Sequence, residues 1–103
     1  MKIERKILIS EAVVIVDKTG KPVEMFNLQG EQVEHLPVYP WIKFIAADYN
    51  GEIFGYGERP SPAGTIWRAA DGGGVTEIGR INECYCRREW IDSLIEITPL
   101  PGV

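Results

Sequence analysis

The chain has 103 residues, a formal net charge of −4, 45% hydrophobic and 25% charged residues, the composition of an ordinary globular domain. It is too apolar for a disordered tail, has no run of about 18 apolar residues to cross a membrane as a helix, and opens on Met-Lys-Ile-Glu-Arg-Lys without the apolar stretch of a secretory signal, so a cytoplasmic location is expected. The acidic balance speaks against a general nucleic-acid binder, which carries a basic face, and suits a basic protein partner.

The first segment, Ile3 to Asp17, alternates imperfectly and ends in Ala12-Val-Val-Ile-Val16. Five such residues in a row predict a strand covered on both faces. Asp17-Lys-Thr-Gly-Lys-Pro22 is turn chemistry, Val23 to Phe26 a returning strand, and Leu28 to Val33 a further tight turn. Leu36-Pro-Val-Tyr-Pro-Trp41 holds two prolines and must be extended or irregular.

Trp41 to Glu58 carries the clearest local signal, because Asn50-Gly51 separates two β-rich runs. A two-residue turn there pairs Ala47 with Phe54, Ile45 with Tyr56 and Lys43 with Glu58, and lays Phe44 over Gly57. A three-residue loop with a bulge is the alternative register. Either way both faces of this hairpin are apolar. One face must therefore lie in a two-layer β fold or in an interface, and a homo-oligomer is expected.

Glu-Arg-Pro-Ser-Pro-Ala-Gly at 58–64 reads as a loop. Thr65 to Ala70 and Val75 to Ile81 read as a second hairpin around Asp71-Gly-Gly-Gly74, with a continuation toward Cys86. Trp90, Ile91, Leu94 and Ile95 form a helical stripe, which predicts two or three helical turns, with an edge strand as the alternative. Residues 98–103 form an extended tail after a single domain over 1–97. The expected fold is a mainly β, small antiparallel β-roll, open barrel or sandwich of about five to seven strands with a short C-terminal helix or 3-10 segment.

Few residues carry recognisable chemistry. Cys84 and Cys86, two apart on one strand face, could form only a strained disulfide, so reduced thiols are expected, and with the lone His35 they fall short of the four ligands of a structural zinc, so no metal is expected. Neither Cys84 nor His35 has a local activator, Glu83 and Glu89 would raise a thiol pKa, and Asp48, Glu52 and Glu58 read as hairpin surface residues, Asp48 bonding turn amides near Gly51. No catalytic set and no cofactor are expected. Asp71-Gly-Gly-Gly74 lacks the Gly-Lys-Ser/Thr ending of a P-loop, though its amides, flanked by Arg68 and Arg80, could form a phosphate nest. Trp67, Arg68, Tyr56 and Arg59 alternate aromatic with arginine around the Pro-rich loop. They are the candidate ligand-binding set, the rings to stack a base and the guanidiniums to hold phosphate.

Trp41-x-x-Phe44-Ile45-Ala46-x-Asp48-x-x-Gly51-x-Ile53-x-x-Tyr56, then Pro60, Trp67, Gly72 to Gly74, Ile78-Gly79 and the closing Trp90-Ile-Asp92-Ser93-Leu94, resembles a pattern in small uncharacterised phage and prophage proteins. The likeness spans about residues 40–95. It brings no catalytic residues with it. It implies expression in an infected or lysogenic bacterium and a non-enzymatic accessory protein that acts by binding. The expected action is inhibition of a host or anti-phage defence component, as a protein inhibitor or as an oligomer that sequesters a nucleotide signal. A virion-associated structural β module, and a small enzyme using a thiol or carboxylate, are the alternatives.

Overall fold

The computed structural model describes residues 3–9, 12–17, 19–82, 87 and 89–97. Within them the chain is mainly β. The strands are β1 (Ile3–Ile9), β2 (Ala12–Asp17), β3 (Met25–Phe26), β4 (Gln32–Val33), β5 (Leu36–Pro37), β6 (Phe44–Ala47), β7 (Glu52–Tyr56), β8 (Ser61–Ala63), β9 (Ile66–Arg68), β10 (Val75–Ile81) and β11 (Ile95–Glu96). Several are two residues long, too short to leave an alternating pattern in the sequence, so the strands outnumber the five to seven expected.

A six-stranded antiparallel sheet, ordered β11-β6-β7-β10-β3-β4, curls into a half-barrel. A three-stranded sheet, β1-β2-β5, accompanies it. The segment from Ile3 to Asp17 is a hairpin, with Ile9 opposite Ala12. Asp17 ends it: one carboxylate oxygen accepts from the Thr19 amide at 2.7 Å, from the Thr19 hydroxyl, and from the Lys21 amide at 3.2 Å. The Thr19 hydroxyl bond leads the effects that hold this carboxyl below its ordinary value.

The two sheets meet in an aliphatic core of Val13, Ile15, Val23, Met25, Leu36, Val38, Ile42, Ile45, Ala47, Ile53, Ile78 and Ile81. A fully buried side chain of this kind contributes about 1.5–3 kcal/mol. Gly79 lets the sheet bend into this core. Its φ of 157° sits at a register shift between Glu77 and Gly79, and a Cβ there would lie 2.5 Å from Leu36 Cδ2 and 2.6 Å from the Phe26 carbonyl oxygen.

The β6–β7 hairpin forms in the alternative register. Ala47 pairs with Ile53, Ala46 with Phe54, Ile45 with Gly55 and Phe44 with Tyr56. Gly51 alone takes a positive φ, 91°, and its amide donates to the Asp48 carbonyl at 2.9 Å, which makes a three-residue loop. Asn50 accepts the Glu52 amide on its side chain at 3.0 Å. The Lys43–Glu58 pairing and the Phe44 cover over Gly57 therefore do not form. Ile42 covers Gly55 instead, and Trp41 covers Gly57 and Gly74.

Two further expectations are corrected. The Pro-rich stretch contains β8, which pairs with β9 in a small sheet of its own, while β10 pairs with β7 and β3. Pro62 is tolerated there because its partner Trp67 turns its amide away from β8, toward Asp48, so Pro62 is not asked for a donor. The C-terminal helix is a single 3-10 turn, Trp90–Asp92, followed by β11 on the edge of β6. Ile95 leaves the helical stripe to pair with Ile45. Cys84, Cys86 and the 98–103 tail lie outside the described residues.

Candidate functional site

The register places Ile45, Ala47 and Ile53 on one face of the hairpin, in the aliphatic core. Phe44, Ala46, Phe54 and Tyr56 face the other way. There they meet Trp67, Ala69, Trp90 and Leu94 in a second, aromatic cluster. Both faces are thus covered from within the chain, the first by the main core and the second by the β8–β9 arm and the 3-10 turn.

Polar groups fix that second cover. Asp48, 6% exposed, accepts the Trp67 amide at 2.8 Å. This corrects the expectation that its side chain serves the Gly51 turn. The Trp67 indole N–H is shared between the Ala47 and Trp90 carbonyls, at 3.0 and 3.2 Å. The Ser93 hydroxyl accepts from the Ala47 amide at 2.9 Å and lies 3.0 Å from the Ala47 carbonyl and 2.6 Å from that of Trp90. Trp67 and Trp90 meet edge to face, with centroids 6.0 Å apart. Burial raises the Asp48 carboxyl above its ordinary value, against the pull of the Trp67 amide, and nearby Glu52 adds to the rise. Burial likewise raises the Tyr56 phenol, with Asp48 adding to it.

The candidate ligand set is thereby divided. Tyr56 and Trp67 come together but are 1% and 7% exposed, and the Tyr56 hydroxyl lies 3.4 Å from the Trp67 carbonyl. Arg59 is exposed, with its guanidinium carbon 5.9 Å from the Phe44 ring centroid. Arg59 and Trp67 share an open groove of about 580 Å³ with Pro60, Pro62, Ile91 and Leu94. Arg68 is exposed on β9, where side chains alternate and the neighbouring Trp67 points inward. The proposed phosphate nest is not assembled either. Arg80 lies at the far end of β10 and donates to the Asn50 carbonyl at 3.5 Å, and the Gly73 amide is engaged by the Ala70 carbonyl at 2.9 Å.

Sequence reading missed a different aromatic pair. Tyr39 and Trp41 stack, with centroids 6.3 Å apart and ring planes 5° apart, yet are 60% and 41% exposed. Trp41 is seated on glycine: a Cβ at Gly74 would lie 3.0 Å from its ring, and one at Gly57 3.4 Å away. The Trp41 ring thus rests on Gly57 and Gly74, and Tyr39 stacks beside it with most of its surface exposed. Beside Tyr39 a cavity of about 350 Å³ is lined by Asn27, Leu28, Gln29, Pro37, Val38, Glu77 and Ile78. The Tyr-Pro-Trp spelling was the available signal, but the glycines that seat Trp41 are distant in sequence.

Among the described residues no group of three or more His, Cys, Asp or Glu gathers as a metal site, and no helix is long and apolar enough to cross a membrane. Comparison with protein families, curated proteins and solved structures returned no match.

Proposed function

We propose that this chain is a non-enzymatic accessory protein of the phage type that binds and inhibits a host or anti-phage defence protein. The observation that carries this reading is the exposed Tyr39–Trp41 stack, whose Trp41 ring is seated on Gly57 and Gly74. Large aromatic rings exposed side by side are costly for a lone chain to display, and such residues dominate protein interfaces. The net charge of −4 favours a basic partner surface and disfavours nucleic acid. The nucleotide-sequestering form of the hypothesis has less support, because Tyr56 and Trp67 use their faces inside the fold. The pattern shared with small phage proteins supplies the biological setting, a bacterial cytoplasm.

The test is expression of the chain in bacteria that each carry one defence system, followed by plaque counts. Restored plaquing on at least one strain, lost in a Tyr39→Ala/Trp41→Ala double variant of unchanged abundance, supports the proposal. Unchanged plaquing on every strain, or full activity of the double variant, overturns it.

A further inference from the structure

The cavity beside Tyr39 has a composition that names its occupant. Its floor is buried and aliphatic, from Val38 and Ile78, and exposed Leu28 forms one wall. Tyr39, which stacks with Trp41, forms another. The one charged side chain on the lining is the exposed carboxylate of Glu77. Arg80 lies outside this lining, in an adjoining cavity with Glu52 and Glu77, and donates to the Asn50 carbonyl. An apolar slot with an aromatic wall and a single carboxylate fits a long aliphatic stem that ends in a cation.

We infer that this cavity receives an arginine side chain from a segment of the partner protein. The methylenes lie along Leu28, Val38 and Ile78, the guanidinium plane stacks on Tyr39, and its charge pairs with Glu77. Arginine is favoured over lysine because its planar head can stack on a ring and meet a carboxylate in the same pose. A second copy of this chain is disfavoured as occupant by the net charge of −4 and by the carboxylate at the slot. The inference rests on the reading of the Tyr39–Trp41 region as a protein-binding surface and specifies that partner's chemistry.

The experiment is a titration of the isotope-labelled protein with three peptides of equal length, rich in arginine, lysine or glutamate, followed by amide chemical shifts. The arginine peptide is expected to shift Leu28, Tyr39, Glu77 and Ile78, to bind more tightly than the lysine peptide, and to weaken with salt. Glu77→Gln and Tyr39→Ala are each expected to weaken it about tenfold, the effect of removing a charged partner or a cation–π face. Both residues are exposed, so the variants should keep the wild-type spectrum outside the cavity. Equal binding of the glutamate peptide, shifts that map elsewhere, or unchanged affinity in Glu77→Gln overturns the inference. So does concentration-dependent self-association that moves the same amides. No defence component enters this titration. Loss of the plaquing effect with intact arginine binding withdraws the function and leaves the site, and the converse result withdraws the site alone.

Discussion

Two aromatic regions of this molecule are built from similar residues and do opposite things. Around Trp67, the rings of Tyr56, Trp67 and Trp90 are drawn inward, with buried polar neighbours in Asp48 and Ser93 that tie the cover down. Around Trp41, two rings stack in the open, Trp41 itself resting on two glycines. In the first region the energy lies in burial and in satisfied hydrogen bonds, so substitution should act on stability. In the second the rings retain exposed surface, so substitution should act on binding.

The largest expected effect that would sharpen this contrast is Trp67→Ala. It removes the centre of the inner cluster and should cost about 3–5 kcal/mol in urea unfolding, as large aromatic truncations do. A cost under about 1 kcal/mol would mean that the β8–β9 arm is not held by burial of this ring.

Ser93→Ala should cost about 1–3 kcal/mol, because the buried Ala47 amide loses its acceptor. The same unfolding assay checks it, and a stability equal to wild type would contradict the bridging role of the hydroxyl.

Asp48 gives a smaller, pH-dependent effect. Asp48→Asn keeps an oxygen for the Trp67 amide and removes a charge that burial disfavours, so it should be neutral or stabilising at pH 7, while Asp48→Ala should be destabilising by about 1–3 kcal/mol. The folded-state pKa of Asp48 is raised above 3.8, so the folded state takes up its proton first and this group adds stability as pH falls through the raised value. The difference between Asp48→Asn and wild type should therefore shrink on acidification toward about pH 4. Asp17 has the opposite sign. Its pKa is lowered, so its contribution is present above 3.8 and is lost as pH falls through the lowered value. Asp17→Asn should accordingly be less stable than wild type at neutral pH, with the gap closing in acid. Unfolding midpoints across pH separate the two.

The smallest effect on stability belongs to Tyr39→Ala, within about 0.5 kcal/mol of wild type as at exposed positions generally. A larger loss would make the outer pair a part of the core and erase the contrast.

How much of this was legible in the chain follows from the range of each signal. The β-rich class and the Trp41–Glu58 hairpin were readable because alternation and Asn50-Gly51 are local. The register missed by one residue because Asn-Gly serves a two-residue turn, with both residues at positive φ, or a three-residue loop, with Gly51 alone there. That slip exchanged the faces of Phe54 and Tyr56 with those of Ile53 and Gly55. β1 and β2 pair antiparallel, and the sequence carries no glycine or asparagine between Ile9 and Ala12 to announce it. β8 was hidden by Pro62, which reads as a breaker until its partner's amide is known to point to Asp48. The burial of Tyr56 and Trp67 was hidden for a similar reason. Composition marks Trp67 and Tyr56 as aromatic, but only the three-dimensional cover decides which rings face solvent. In hindsight the ordered pattern from Phe44 to Leu94 spells out the inner cluster: Phe44, Ala46, Asp48, Tyr56, Trp67, Trp90, Ser93 and Leu94 converge there. These members of the pattern cover the second face of the hairpin, while its Ile45, Ile53 and Ile78 belong to the main core.

The most direct test is the arginine-peptide titration, read by amide shifts, of Tyr39→Ala beside Ser93→Ala. The account expects Tyr39→Ala to retain a dispersed native spectrum and to lose the peptide response. It expects Ser93→Ala, under folding conditions, to keep the response at Leu28, Glu77 and Ile78. A Tyr39→Ala protein that still binds, or a Ser93→Ala protein that stays folded but no longer binds, would contradict the assignment of stability to the inner rings and binding to the outer ones.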